Sequence, residues 1–397
     1  MRNITNTAEL FESIENDDIE FKTFYIKQYK RVVKSIEDPM QFFKMISEKQ
    51  TKHLYELMPL CVGAFFYRRN FKAVFNFVKD VDLSGYKREY EFYISKLIKY
   101  YYWSCVELNC LNINEFHSLK VKNSQYGNKT CLLVLNNILM DYYINNKVEY
   151  LDLIIRDIEK EEFTLDIYCH GENALYYFYN GFANLLLGNY VRALKHFDEA
   201  DIYNNKRSLY LNIVKCTIVT RLLLGDVNIV VDYNKELLPY FSLIGIVKRG
   251  EIDKLDELLH KNYEEFATKM RLLLVLRRLV TNVLKIGINE IARVYSKISL
   301  EQINKIFGMD VSCLVHKIIL DGGIQNVIEE KDKKLFLVKK SGCILSKCRN
   351  GGVNDEINRI ITIKNALKRQ MNYKKTPPRS MESLTREKEE FEQKFSI

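Results

Sequence analysis

Residues that break helices are scarce along this chain. Its 397 residues include 5 prolines and 16 glycines, and 47% of them are hydrophobic. Proline and glycine are the residues that the interior of a helix tolerates least, so their low number favours long helices joined by short turns. The apolar content is sufficient to bury a large core, which excludes a wholly disordered chain. The composition therefore predicts an all-α protein.

Residues 1–170 alternate apolar and charged side chains at helical spacing. Leu54, Leu57 and Cys61 fall on one helix face, because positions three and four apart are neighbours on a helix. The aromatic run at 100–103 could stack nucleic-acid bases, but packing in a hydrophobic core is the favoured interpretation. We expect residues 1–170 to form N-terminal helical repeats that carry no chemistry.

A helix pair of the tetratricopeptide (TPR) type is predicted between residues 177 and 200. Its small and aromatic residues occupy the positions expected for such a pair: Gly181, Gly188, Tyr190, Ala193, Phe197 and Ala200. These pairs need small residues where two helices cross closely. The spacing of four from Ala193 to Phe197 puts both on one face of the second helix. Residues 171–296 are therefore predicted to continue the repeats.

A strongly apolar helix is predicted over residues 270–284, and we expect Gly287 to interrupt it, because glycine weakens a helix interior. Beyond residue 296 the pattern changes. The capping-box sequence Ser299-x-x-Gln302 begins a short helix that Gly308 ends, and Asp310 is predicted to cap a second helix. Two short apolar runs, Ile324–Ile328 and Leu335–Val338, then flank a charged turn and predict a β-hairpin. This order is typical of a winged helix, predicted here over 297–347.

One more helix is predicted near the C-terminus, over residues 348–375. Its apolar residues form a narrow stripe suited to a helix bundle: Val353, Ile357, Ile360, Leu367 and Met371. Two prolines at 377 and 378 end the pattern, and residues 376–397 are expected to be a charged tail. The last 69 residues hold 17 Lys and Arg against 10 Asp and Glu, which is +7 of the net charge of +9. An acidic partner would meet this end of the chain first.

Several motifs in the C-terminal half resemble one family. They are Leu222–Asp226 (LLLGD), Leu237–Phe241 (LLPYF), Val247–Gly250 (VKRG), Leu276–Arg278 (LRR) with Val283, Gly287, Ile291 and Tyr295, Ile298–Leu300 (ISL), Ile318-x-x-Asp321-Gly322-x-Ile324, and the helix Ile357–Met371 with its proline stop. In this order they resemble the PCI-domain subunits of the proteasome regulatory lid, within them the family of non-ATPase regulatory subunit 3. The resemblance runs from about Tyr176 to Pro378. Asn289 and Asn304 stand where the family usually has Arg and Ala.

The resemblance implies a fold, a role and partners. Members of the family are TPR-like helical-repeat solenoids that end in a winged-helix (PCI) module with a small β-hairpin and a C-terminal helix. They are non-catalytic scaffolds that support ubiquitin-dependent protein degradation. Their winged helices pack edge to edge, which by strand addition would use Ile324, Val327, Leu335 and Leu337 here. Their C-terminal helices join a common bundle, which would use Ile357, Ile360, Leu367 and Met371.

The partners implied by the resemblance are other PCI-domain lid subunits and a small acidic, disordered lid protein. The proteasome ATPase ring and core would be reached through the assembled complex, a hetero-oligomer of the cytoplasm and nucleus. A PCI scaffold of another complex stays open as the alternative: the signalosome, a translation initiation factor, or an mRNA-export module that binds RNA. The second helix of the winged helix carries only His316 and Lys317 as basic residues. Duplex recognition needs several, so nucleic-acid binding is not the favoured interpretation.

No residue constellation predicts catalysis, a cofactor or a metal. Cys169 and His170 are sequence neighbours, which seldom face each other on a helix. Cys343 and Cys348 have no second ligand pair for zinc, and the His-x-His motif of a metal isopeptidase does not occur. The nine cysteines are scattered, which favours a reducing compartment, the cytosol or nucleus. No segment has the roughly 18 consecutive apolar residues that suggest a membrane span.

Overall fold

A computed structural model describes residues 7–339 apart from 16–20, 22–23, 25–27, 50–52, 80, 82, 84–85, 87, 161–169, 205, 321–325 and 332–333. The helices are α1 (Thr7–Glu15), α2 (Tyr29–Ser35), α3 (Pro39–Lys49), α4 (Leu54–Tyr67), α5 (Phe71–Lys79), α6 (Glu91–Glu107), α7 (Ile113–Tyr126), α8 (Lys129–Asn146), α9 (Leu151–Ile158), α10 (His170–Leu187), α11 (Tyr190–Tyr203), α12 (Arg207–Leu223), α13 (Leu238–Arg249), α14 (Ile252–Lys261), α15 (Leu273–Arg277), α16 (Leu279–Val294), α17 (Leu300–Phe307) and α18 (Ser312–Leu320). The strands are β1 (Lys297–Ser299), β2 (Asn326–Lys331) and β3 (Lys334–Lys339). The helix and tail predicted from residue 348 onward lie outside the described residues.

Two compact units divide the chain. The first holds the helices, and the second holds residues 296–298 together with the β2–β3 hairpin. The three strands form one sheet in the order β1–β3–β2. No helix in the described part of the chain combines the length and apolarity that a membrane span requires.

The N-terminal helices form an array of hairpins in two layers. Along one layer α4 packs on α6, α6 on α8 and α8 on α10. α5 packs on α4 and α6, both α7 and α9 pack on α8, and α11 packs on α10, so that these four helices form the second layer. This repetition of antiparallel pairs is the solenoid arrangement, and it confirms the prediction of helical repeats followed by a small sheet-containing module.

The aromatic run at 100–103 mainly serves the core of this array. Tyr101 and Tyr102 are almost fully buried, and the Tyr100 hydroxyl lies 2.6 Å from the hydroxyl of Tyr29 on α2. The hydroxyl of Tyr102 donates to Asp141 Oδ2 on α8 at 2.8 Å. Buried tyrosines that keep a hydrogen-bond partner are stable core residues. Trp103 differs from them, since 39% of its surface is exposed.

The pair α10–α11 has the geometry predicted for a TPR-type unit. A Cβ built on Gly181 would lie 2.7 Å from the ring of Phe197, so only glycine allows this crossing. Ala193, Phe197 and Ala200 are fully buried on one face of α11. The turn between the helices is made at Gly188, whose φ of 91° favours glycine.

The apolar segment around residue 270 differs from its prediction. Residues Glu264–Lys269 form a π-helical turn, Arg271 has a φ of 52°, and the helix resumes as α15 and then as α16. The expected interruption at Gly287 is wrong, because α16 runs through it to Val294. A Cβ built on Gly250 would lie 2.5 Å from the Gly287 Cα. Gly287 therefore allows the end of α13 to pack closely against α16.

Candidate assembly surface

The module that follows α16 begins with a strand that leads directly into a helix. Ser299 ends β1 and caps α17, and both halves of the predicted capping box are present. The Gln302 N–H donates to Ser299 Oγ at 3.2 Å, and the Ser299 N–H donates to Gln302 Oε1 at 3.2 Å. Leu300, Ile303 and Phe307 form the buried face of α17. The capping box thus sets where the first helix of the module begins.

The turn between α17 and α18 is held by one carboxamide. Gly308, with a φ of 64°, ends α17. The Asn304 Nδ2 donates to Asp310 Oδ1 at 3.1 Å, and its Oδ1 accepts from the N–H of Val311 at 3.0 Å. Asp310 also accepts from the N–H of Ser312 at 2.9 Å, and hydrogen bonds from Ser312 lower the pKa of the Asp310 carboxyl. These bonds fix the turn that leads into α18. The sequence pattern did not indicate this role for Asn304.

The hairpin has a defined register. β2 and β3 are antiparallel, with Val327 opposite Val338, Ile328 opposite Leu337 and Glu330 opposite Leu335. Lys297 of β1 lies over the ring of Phe336 of β3, with 4.5 Å from Nζ to the ring centroid. Because β3 lies between β1 and β2, the two edges of the sheet belong to β1, which has three residues, and β2, which has six.

The predicted interface residues have different positions in this sheet. Val327 belongs to β2, the longer edge strand, while Leu335 and Leu337 belong to the central strand β3. Leu337 is fully buried, and Leu335 has 41% of its surface exposed. Ile324 and the bundle-helix residues Ile357, Ile360, Leu367 and Met371 lie outside the described residues.

Exposed apolar side chains on the helices of the module were missed by the sequence reasoning. Ile306 and Met309 flank the end of α17 and are 53% and 43% exposed, and Leu320 at the end of α18 is 86% exposed. The sequence indicates this exposure for one of them, because Ile306 falls outside the spacing 300, 303, 307 of the buried face of α17. An apolar side chain away from the core stripe is a marker of a contact surface when several occur together.

The exposed face of α18 is not strongly basic. Cys313, His316, Lys317 and Leu320 are its exposed residues, so it presents one lysine and one histidine. The Nδ1 of His316 lies 2.7 Å from the carbonyl oxygen of Ser312, which occupies one ring nitrogen within the helix. A groove-reading helix contacts several phosphates through Lys and Arg, and this face does not offer them.

Two titratable residues lie on the second helix of the TPR-type pair. Burial lowers the pKa of His196 and raises the pKa of Asp198, both on α11, and the ring of His196 lies 6.2 Å from that of Tyr177. Within the described residues no group of three or more His, Cys, Asp or Glu side chains is arranged to hold a metal ion. Cys169, Cys343 and Cys348 lie outside the described residues.

A helical-repeat array joined to a capped helix–turn–helix and a hairpin defines a protein of the PCI class. The PCI domain family model matches residues 259–339, which include α17, α18 and the hairpin. The chain is 33% identical over 278 residues to the 26S proteasome regulatory subunit RPN3 of Encephalitozoon cuniculi, covering 68% of this chain and 70% of that protein. The chain belongs to this family, that of proteasome regulatory subunit RPN3, also named non-ATPase regulatory subunit 3.

More distant relatives match a smaller share of their own length. The RPN3 subunit of Saccharomyces cerevisiae is 30% identical over 229 residues, which cover 54% of this chain and 43% of the yeast protein. The non-ATPase regulatory subunit 3 of Dictyostelium discoideum is 24% identical over 252 residues, covering 59% of this chain and 49% of that protein. The chain thus spans about half the length of these two relatives.

Proposed function

We propose that this chain is a non-catalytic scaffold subunit of the regulatory-particle lid of the 26S proteasome, where it supports ubiquitin-dependent protein degradation. The observation that carries the proposal is its membership of the RPN3 family, whose named members are regulatory subunits of the 26S proteasome. The polar residues of the winged-helix module support it, because the hydrogen bonds of Ser299, Asn304 and Asp310 cap helices and close turns. Such residues shape a surface rather than act on a substrate.

The assembly surface in this proposal is the edge of the small sheet. β2 is the longer edge strand, and within the described residues no strand pairs with it on the side away from β3. Its N–H and C=O groups on that side would receive a strand from a neighbouring PCI-domain subunit. Val327 belongs to this edge strand, and Ile324, two residues before β2 in the sequence, would extend the contact. Leu335 would add an apolar contact from the exposed part of β3, while buried Leu337 would support the hairpin from within.

The remaining contacts are proposed from the family and the sequence. The helix over 348–375, with Ile357, Ile360, Leu367 and Met371, would join the lid's helix bundle. The basic C-terminal end suits the small acidic lid protein, by charge complementarity. The ATPase ring and the core would be reached through the assembled particle, in cytoplasm and nucleus. The domain limits at residues 170, 296 and 347 are part of this proposal.

The test is purification of the tagged full chain from its own cells, followed by identification of what co-elutes. We expect lid subunits, ATPase-ring subunits and the 20S core. Leu335→Asp and deletion of residues 353–397 should each reduce recovery of the lid, while helical circular dichroism of the chain is kept. Val191→Asp is the matched control, because Val191 is 61% exposed on α11, far along the chain from the module.

Three results would contradict the proposal. One is an RNA cargo whose retention falls steeply with salt, which would favour the mRNA-export alternative. Another is co-elution with signalosome or initiation-factor subunits in place of the proteasome. The third is a lid that assembles normally with both the hairpin variant and the C-terminal deletion, since neither proposed surface would then be needed.

A further inference from the structure

A small pocket opens on the first layer of the N-terminal array, across α6, α8 and α10. Its cavity volume is about 30 Å³, which is room for about two waters or one terminal side-chain group. Apolar side chains such as Val134 and Ile138 form part of its wall, and Trp103, Asn137, Asp141 and Glu172 bring ring and polar groups to it. The rest of any ligand would have to lie outside the pocket, along the helix layer.

Asn137 gives the pocket an unused hydrogen-bond acceptor. Its side chain is 5% exposed, and its Nδ2 donates to the carbonyl oxygen of Glu172 at 3.0 Å. Its Oδ1 accepts no hydrogen bond from the described residues. Buried polar atoms are nearly always hydrogen-bonded, so this oxygen indicates a place for a donor on a ligand.

Asp141 gives the pocket a negative charge. Its carboxylate accepts from the Tyr102 hydroxyl at 2.8 Å and from Asn145 Nδ2 at 3.2 Å. Burial, followed by the nearby Asp141 charge, raises the pKa of Tyr102, so this hydroxyl remains a donor. The hydroxyl of Tyr179, another residue of the pocket wall, also interacts with this carboxylate. All three donors are neutral, and no ion pair among the described residues includes Asp141. The neighbouring Glu172 differs, because it is paired with Lys99.

Trp103 adds an aromatic ring to the pocket. It is the single tryptophan of the chain, it is partly exposed, and its ring meets that of Tyr102 edge-on at 5.4 Å. Asn137 and Asp141 are four residues apart on α8 and so share one helix face. An indole face beside a carboxylate that forms no ion pair attracts a cation. A guanidinium group also has five N–H donors in a planar fork, enough to serve both a carboxylate and a carboxamide oxygen.

We propose that this pocket binds an arginine side chain of an extended peptide segment from a partner protein. The guanidinium would stack on Trp103, pair with Asp141 and donate to Asn137 Oδ1. An acidic side chain does not fit, because Lys99 is already neutralised by Glu172. A purely apolar side chain would leave the Asn137 acceptor and the Asp141 charge unsatisfied. The site belongs to the N-terminal helices and goes beyond the assembly surface of the winged-helix module.

The fluorescence of Trp103 reports binding directly in the full-length chain. The probes are the peptides acetyl-Gly-Gly-Arg-Gly-Gly-amide and its variants with Lys, Leu or Glu at the centre. We expect a saturable change of emission with the Arg peptide, at an affinity about tenfold or more above that of the Leu and Glu peptides, as a charge-paired cation–π contact provides. The Lys peptide, with one point charge and no fork, should bind between them.

Two variants connect the binding to its residues. Asp141→Asn keeps the shape and should weaken the Arg peptide about tenfold, while Glu107→Gln, an exposed carboxylate on α6, should change it less than about twofold. Trp103→Leu, followed by calorimetry in place of fluorescence, should weaken it similarly, and its partial exposure makes it safe for folding. The proposal is overturned if the Leu or Glu peptide binds as well as the Arg peptide, if neither variant weakens binding, or if no peptide gives a saturable signal. These results leave the lid proposal untouched, because they concern the isolated chain.

Discussion

Replacing Gly287 with alanine should destabilise the helical unit, although alanine is the better helix former. Gly287 lies inside α16, and Gly250 ends α13 directly beside it. A Cβ built on Gly287 would lie 2.9 Å from the Phe307 ring and 3.0 Å from the Gly250 carbonyl oxygen. Nonbonded carbon contacts are normally about 3.5–4.0 Å. Both neighbours would therefore have to move by about half an ångström.

Two opposing contributions set the magnitude. Alanine in place of glycine inside a helix gains about 1 kcal/mol, and overpacking a core costs about 1–3 kcal/mol. The Phe307 ring is buried and the Gly250 oxygen is backbone, so neither can rotate away and the cost falls in the upper part of that range. We expect a net loss of about 1–2 kcal/mol in the free energy of unfolding. Each kcal/mol lowers the melting temperature by about 2–4 °C for a cooperative unit of 150–250 residues.

The matched control is Gly245→Ala in α13. The nearest atom to its Cβ would be a guanidinium nitrogen of Arg249 at 3.4 Å, at the end of a flexible side chain. This variant should therefore be more stable than the original chain by about 0.5–1 kcal/mol. Thermal and urea unfolding followed by circular dichroism at 222 nm compare the three proteins. If Gly287→Ala raised the midpoint as Gly245→Ala does, the close-packing argument would be refuted.

Three further predictions use the same unfolding assays. Gly181→Ala should cost about 1–3 kcal/mol by pressing on the Phe197 ring, and adding Phe197→Leu should recover part of the loss; a neutral single variant would contradict this. Lys215→Met should cost about 3 kcal/mol, because Glu265, which lies 2.6 Å from the Lys215 ammonium and is only 18% exposed, then loses its partner. Combining it with Glu265→Leu should restore most of the stability, and equal losses in the single and double variants would count against the pair. Burial lowers the pKa of His196 below its ordinary value of 6.5, so the unfolded chain takes up this proton first. Its stabilising contribution is thus complete above pH 6.5 and is lost as the pH falls, and the drop in midpoint between about pH 7 and pH 5 should be smaller in His196→Gln.

Sequence reasoning succeeded where the determining chemistry is local. The capping box at Ser299 and the glycine stop at Gly308 depend on a few consecutive residues, and both occur as predicted. The Gly181–Phe197 crossing was also predictable, because the TPR pattern itself states which position must be small. The segment near residue 270 failed for the opposite reason. Its hydrophobicity fits a continuous helix, but nothing in the pattern marks the left-handed Arg271, and the tolerance for Gly287 comes from a partner 37 positions away in sequence.

The sheet edge proposed for assembly shows the same difference between features that depend on local sequence and features that depend on distant residues. Alternating apolar residues predicted the hairpin, but β1 is a strand of three residues, Lys297–Ser299, which is too short to give a pattern of its own. Its pairing with β3 decides which strands hold the sheet edges, and therefore which residues a neighbouring chain can reach. A three-residue edge offers few free N–H and C=O groups, whereas β2 offers six residues. If subunits do join by strand addition, the new strand should consequently align with β2, and backbone hydrogen-exchange protection gained on assembly should concentrate in Asn326–Lys331 rather than in β1.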